Sequence, residues 1–186
     1  MLAAHPGIGT VVVATEHHPR VMRGAASLDD ITQYAEATRM RLLGTREFDA
    51  DEQWASRLGG IAGERWLEAS VLRLLPEYPM PIAWMLLYMD ARYRDVAGRI
   101  GTWSGPVFAL LQQLHGVRIA EVNQRIMAIT IDEPAAELLQ STPGAPALQI
   151  TRRYLDFTGN PVLVSIGLYP SDRFTHDTSF RVQERL

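Results

Sequence analysis

No lysine and no cysteine occurs anywhere in the 186 residues. Without cysteine there is no disulfide scaffold, no thiolate metal site and no cysteine nucleophile. Without lysine, all positive charge rests on arginine, and a net charge of -3 with a pI near 5.9 argues against a whole-chain electrostatic grip on nucleic acid, which needs clustered cations. Long apolar runs are missing too. The longest, Ile82 to Met89, falls well below the roughly 20 residues that span a bilayer. No N-terminal segment has the charged-then-apolar plan of a signal peptide. The expectation is a cytoplasmic chain with no membrane partner. The histidines, at positions 5, 17, 18, 115 and 176, never fall at i, i+4 with a carboxylate between them, so no metal site is expected. Gly7 and Gly9 lack the third glycine of a dinucleotide fingerprint, and no cofactor is implied. Ser104 has no glycine two residues before it and two after it, as a nucleophile elbow requires, and no catalytic residue is assigned.

What is present is enough apolar material for a core: 47% of residues are hydrophobic and 21% charged, in a length suited to one ordinary domain. His5-Pro6-Gly7-Ile8-Gly9-Thr10-Val11-Val12-Val13 is a glycine turn followed by a β-branched run, the chemistry of a hairpin arm. Glu16 to Gly24 is polar and punctuated by Pro19, as a linker is. Ser27-Leu28-Asp29-Asp30 offers a helix cap with carboxylates in the first turn. A strand is predicted over Thr38 to Phe48 and a helix over Asp49 to Leu58, ended by Gly59-Gly60. Arg65 to Leu75 alternates as a strand, and Ile82 to Met89 is apolar on both faces, as a central strand would be. A surface helix is predicted over Asp90 to Ile100. A second, capped by Ser104 with Pro106 in its first turn, buries Phe108, Leu111 and Leu114 or Val107, Leu110 and Leu114 and ends at His115-Gly116. Val117 to Ile131 reads as a long strand, and Asp132-Glu133-Pro134 as the cap of a helix to Gln140.

The stretch from Ala147 to Phe174 organises the rest. Its first arm sets Leu148, Ile150, Arg152 and Tyr154 on one face, with the two-residue period of a strand. Its second arm, Val162 to Tyr169, is apolar on both faces, and Thr158-Gly159-Asn160-Pro161 between them is a turn. Leu148-x-Ile150-x-Arg152, then Asp156, Gly159, Pro161, Ser165 and Tyr169-x-x-Asp172-Arg173-Phe174, resembles the C-terminal half of the UTRA domain. That is the effector-binding domain of GntR-type transcription regulators of the HutC subfamily. Leu72-Arg73-Leu74 and Pro81-Ile82 resemble the strand, turn and Pro-Ile element of the same family.

The resemblance implies an α+β fold, a mostly antiparallel central sheet with flanking helices, like that of chorismate lyase. It divides the chain into residues 1–24, a remnant of the winged-helix wing plus linker, and residues 25–186, the effector domain. It implies a homodimer that reaches DNA only through a winged helix-turn-helix domain largely absent from this chain. The effector would lie between the sheet and a helix start, near Arg73, Ser104, Phe108, Leu163, Ser165 and Tyr169. Relatives that bind phosphorylated amino sugars carry a glutamate where Leu163 stands and a second arginine where Val71 stands, so the implied effector here is a small organic anion with an apolar body. Arg152 is expected to lock the sheet to a carboxylate. A chorismate lyase-like enzyme is the alternative reading; it needs a positioned general acid, and the late strand offers Leu163 there. A plain oligomerisation module is the third.

Overall fold

In the computed structural model, which describes residues 2–5, 9–12 and 27–176, the alternating segments become the strands of one antiparallel sheet. β1 (Leu2–His5) and β2 (Gly9–Val12) pair by themselves, with Leu2 opposite Val12 and His5 opposite Gly9, the hairpin its glycine turn predicts. The linker at Glu16 to Gly24 lies outside the described residues. Then come α1 (Leu28–Glu36), β3 (Arg39–Asp49), α2 (Glu52–Leu58), β4 (Arg65–Leu74) and β5 (Ala83–Asp90). A 3-10 turn at Ala91–Tyr93 and α3 (Arg94–Ala97) lead to α4 (Val107–His115), β6 (Glu121–Thr130), α5 (Glu133–Leu139), β7 (Pro146–Leu155) and β8 (Pro161–Pro170). The six-stranded sheet runs β3-β4-β5-β8-β7-β6. This is the predicted α+β class.

Strand position follows side-chain chemistry. β5 and β8, apolar on both faces, take the centre, where helices and loops cover both sides. On one face α1 and α4 pack over Val71, Met85, Leu87, Ile150, Tyr154 and Leu163 in the main core. On the other, α2 closes a cluster of Leu58, Trp66, Tyr88 and Val164, and α5 closes one of Leu139, Ala147 and Leu168. Burying a side chain of this kind contributes roughly 1.5–3 kcal/mol, so the sheet is held from both sides.

Local signals explain most helix ends. Ser27 and Asp30 form a reciprocal capping box on α1, at 3.2 Å and 3.1 Å. Asp51 caps α2 and Asp132 caps α5, each through a backbone N–H. Gly59 and Gly116 end α2 and α4 in the left-handed region, at φ 82° and 65°.

Three expectations need correction. The predicted helix over Asp90 to Ile100 breaks into the 3-10 turn and a single α-turn, because the Asp90 carboxylate takes the Arg92 N–H and tightens the entry. The strand expected from Val117 begins at Glu121, since the β7 ladder ends at Leu155 and leaves Val117 and Ile119 to pack on the core without partners. Ser104 does not cap α4: the N-cap is Pro106, without a side-chain bond, while the Trp103 indole folds over Gly105 and donates to the Pro106 carbonyl at 3.1 Å.

Candidate functional site

Three arginines of the described chain are almost wholly buried, and their surroundings differ. Arg173 is satisfied. Its guanidinium donates to the carbonyls of Pro81, Leu139 and Gln140 and meets Asp172 at 3.3 Å, which ties the end of β8 to the end of α5 and to the turn before β5. Arg73 and Arg152, at 5% and 3% exposure, have no carboxylate partner among the described residues.

Both lie on the sheet face under α1 and α4. Arg73, near the end of β4, donates to Thr38 Oγ1 at 2.5 Å and to Met85 Sδ at 3.5 Å, and its guanidinium lies 5.0 Å from the centre of the Tyr34 ring. Arg152 sits on β7 between Gln124 of β6 and Ser165 of β8. It donates through Nε to the Gln124 amide oxygen at 2.7 Å, while one terminal nitrogen is buried without a partner. The expected lock to a carboxylate is therefore not formed: the strand facing Arg152 brings a neutral amide.

The two guanidinium groups line one cavity of about 30 Å³, room for a water molecule or so. Tyr34, Met85, Leu163 and Ser165 share its wall, and Pro106 and Val107 close it from the start of α4. The Tyr34 hydroxyl is buried close to Tyr169 and meets no partner at full hydrogen-bond geometry among the described residues. Burial and the nearby Tyr169 push this phenol well above the usual range, with Arg73 and Arg152 opposing, so it stays a neutral donor. Among the described residues no carboxyl group lines the cavity. Burying a cation with no counter-charge costs several kcal/mol even after relaxation. The site thus holds positive charge and unpaired donors against an apolar floor, the complement of an anion with some apolar surface.

Of the residues singled out in the sequence, Arg73, Leu163 and Ser165 meet in this wall. Phe108 stands behind it, stacked on Tyr154 at 5.4 Å. Tyr169 is fully buried beneath, its ring 4.4 Å from Phe174 and its hydroxyl 4.0 Å from Met85 Sδ. Ser104 is exposed and outside the lining. Sequence reasoning missed Tyr34, whose signal was a phenol on the buried stripe of α1, and set Arg152 aside. Larger hollows of about 270 Å³ beside Trp66 and Arg92 and about 230 Å³ beside Arg57 and Trp84 already contain carboxylates, Asp90 and Asp132 among them, and lack an uncompensated buried cation. Among the described residues no cluster of histidine and acidic side chains could hold a metal. No helix of theirs is long and apolar enough to cross a membrane.

Residues 34–175 match the family model for the UTRA domain. The fold is also that of several solved structures. The ligand-binding domain of a putative GntR-family transcriptional regulator from Bordetella bronchiseptica superposes with TM-score 0.68 at 23% identity, covering 77% of this chain and 89% of that one. PhnF from Mycobacterium smegmatis gives 0.73 at 18% identity, over 98% of this chain and 79% of that one. The C-terminal domain of the histidine utilization repressor from Pseudomonas syringae gives 0.62 at 20%, over 80% and 98%.

Proposed function

The chain belongs to the UTRA domain family, and from that premise we propose that it is the ligand-sensing and dimerisation domain of a cytoplasmic bacterial GntR/HutC-type transcription regulator. Its effector is a small organic anion, held by Arg73 and Arg152 with Tyr34 and Ser165 as further donors and Leu163 and Met85 as the apolar floor. The observation that carries this is the pair of buried arginines lining one cavity that no carboxylate of the described residues lines. Residues 1–24 are read as the last wing strands of a winged helix-turn-helix domain plus linker, the route by which a full regulator reaches DNA.

The cavity holds about 30 Å³, so any organic anion needs α1, α4 or the side chains beneath them to move outward. Regulation requires that requirement: an effector shifts a two-state equilibrium only by its differential affinity for the two states. The non-catalytic reading is supported by the family match and by solved structures of the same fold that are ligand-binding or effector domains of regulators.

Thermal melts against a metabolite panel test the reading. At about 100 times its dissociation constant an effector stabilises by roughly 2.7 kcal/mol, a rise of roughly 5–10 °C in a chain of this size. Hits are expected among carboxylates, phosphates and phosphonates with an apolar portion, and none among neutral sugars or amines. A best stabiliser that is cationic would overturn the anion reading. Release of 4-hydroxybenzoate from chorismate would replace the sensor by an enzyme.

A further inference from the structure

Two helices roof the arginine cavity: α1 brings Ile31, Tyr34 and Ala35 to its lining, and α4 brings Val107, with Pro106 just before it. They are fastened differently. α4 stacks Phe108 on Tyr154, and its last residue, His115, meets Asp95 of α3 at 2.8 Å and the Tyr93 ring with centres 4.8 Å apart. None of these contacts involves a buried arginine. α1, besides burying three side chains, is fastened through one. The Arg73 guanidinium lies 5.0 Å from the centre of the Tyr34 ring and donates to Thr38, two residues past the end of the helix.

Thr38 is 2% exposed, and its hydroxyl serves two elements at once. It accepts from Arg73 Nη1 and turns its single proton toward the last-turn carbonyls of α1, Tyr34 O at 2.9 Å and Ala35 O at 3.3 Å. One oxygen thus joins a guanidinium of the sheet to the end of the helix above it. For a guanidinium a neutral hydroxyl is a weaker acceptor than an anionic oxygen, which adds Coulomb attraction in a site shielded from water. An anion that reaches Arg73 therefore competes with Thr38 for the same N–H. When it wins, the helix keeps the bond from the hydroxyl to its own carbonyls and loses this hold on the sheet.

We propose that Thr38 is a positioning residue of this site, a latch that holds Arg73 and α1 together in the empty protein, and that an effector anion enters on the α1 side by taking Arg73 from it. The proposal rests on the anion reading above and goes further, because of the two helices it names the one that moves. α4 keeps its contacts with Tyr154 and Asp95. Selectivity follows from the competition: a ligand must offer a charged acceptor as well as fill space, so a neutral molecule of the same shape leaves the latch closed.

Hydrogen exchange followed by mass spectrometry, in buffer free of phosphate, sulfate and carboxylates, reads the latch without a ligand. Thr38→Val removes the hydroxyl and keeps the shape. Its α1 amides are expected to exchange roughly tenfold faster than those of the parent, its α4 amides at the parent rate, and Thr38→Ser is expected to match the parent throughout. A hydroxyl that served only the helix carbonyls would give the same acceleration whatever stands at position 73. A latch requires that the effect of Thr38→Val vanish in an Arg73→Met background. Equal acceleration in the two backgrounds, or α4 opening together with α1, overturns the proposal. Inorganic phosphate then tests the competition by thermal melt: Thr38→Val, rid of the competing hydroxyl, is expected to reach half its shift at roughly two- to tenfold less phosphate than the parent. A variant that needs as much phosphate as the parent, or more, also overturns it. If Arg73→Met loses its sheet signal in circular dichroism, the phosphate comparison decides. A parent that does not respond to phosphate counts against the anion reading, and the exchange measurements then decide the latch alone.

Discussion

Replacing Arg152 by Met is expected to make the unliganded protein more stable. The methionine keeps an apolar stem at this position of β7 and deletes the guanidinium of a residue that is 3% exposed and has no carboxylate partner among the described residues. On the debit side the variant loses the Nε bond to Gln124, about 1 kcal/mol for an exposed amide that water can resolvate. On the credit side it removes an uncompensated buried cation, a penalty of several kcal/mol after relaxation. The net is a gain of about 1–3 kcal/mol, read as a rise of roughly 3–10 °C in melting temperature for a chain of this size. The assay is a thermal melt in a buffer free of phosphate, sulfate and carboxylates, since a bound buffer anion would supply the missing counter-charge. The same variant is expected to lose its response to whatever anion stabilises the parent. A fall of more than about 2 °C in anion-free buffer would refute the reasoning, because by the same conversion it means a guanidinium already satisfied in the empty protein.

Two further expectations rest on other contacts. Gly167→Ala is expected to cost about 1–3 kcal/mol in urea unfolding with an unchanged slope, because the added methyl would sit 2.6 Å from Cε2 of the fully buried Tyr169 ring; an unaltered midpoint would mean the ring can move. Arg46 grips both oxygens of Glu68 at 2.8 Å and, with that hydrogen bond as the leading cause, holds its carboxyl below the usual range. A depressed folded pKa contributes stability that is present above the unfolded carboxylate value and lost as pH falls through the folded one. Glu68→Gln is therefore expected to cost about 0.5–1 kcal/mol at neutral pH, discounted for the exposure of Arg46, and nothing at a pH low enough to protonate the parent. A cost independent of pH would assign the loss to packing.

The hairpin of β7 and β8 was legible because a two-residue period and a Gly-Asn-Pro turn are local facts, and Asp156 then fixes the turn by accepting from Thr158 and Asn160. The central place of β5 and β8 was legible for the same reason: two apolar faces require two covers. The site was legible in part. Alternation placed Arg152 on the buried face, yet what it meets depends on Gln124, 28 positions earlier, and no local pattern carries that register. Ser104 misled because a serine before Gly-Pro has the chemistry of a cap, while the Trp103 indole lying over Gly105 moves the helix start to Pro106. The break after Asp90 turned on one carboxylate choosing the Arg92 N–H, a choice that composition does not record.

A cavity with room for a water molecule or so also sets a clock. An effector that waits for α1 or α4 to part from the sheet cannot associate at the rate of its encounters, because helix displacements of this kind run on microseconds to milliseconds. Its observed binding rate would rise with concentration at low levels and then flatten at the opening rate. On the proposed reading that opening step, and not diffusion, sets the fastest response of the domain to its ligand.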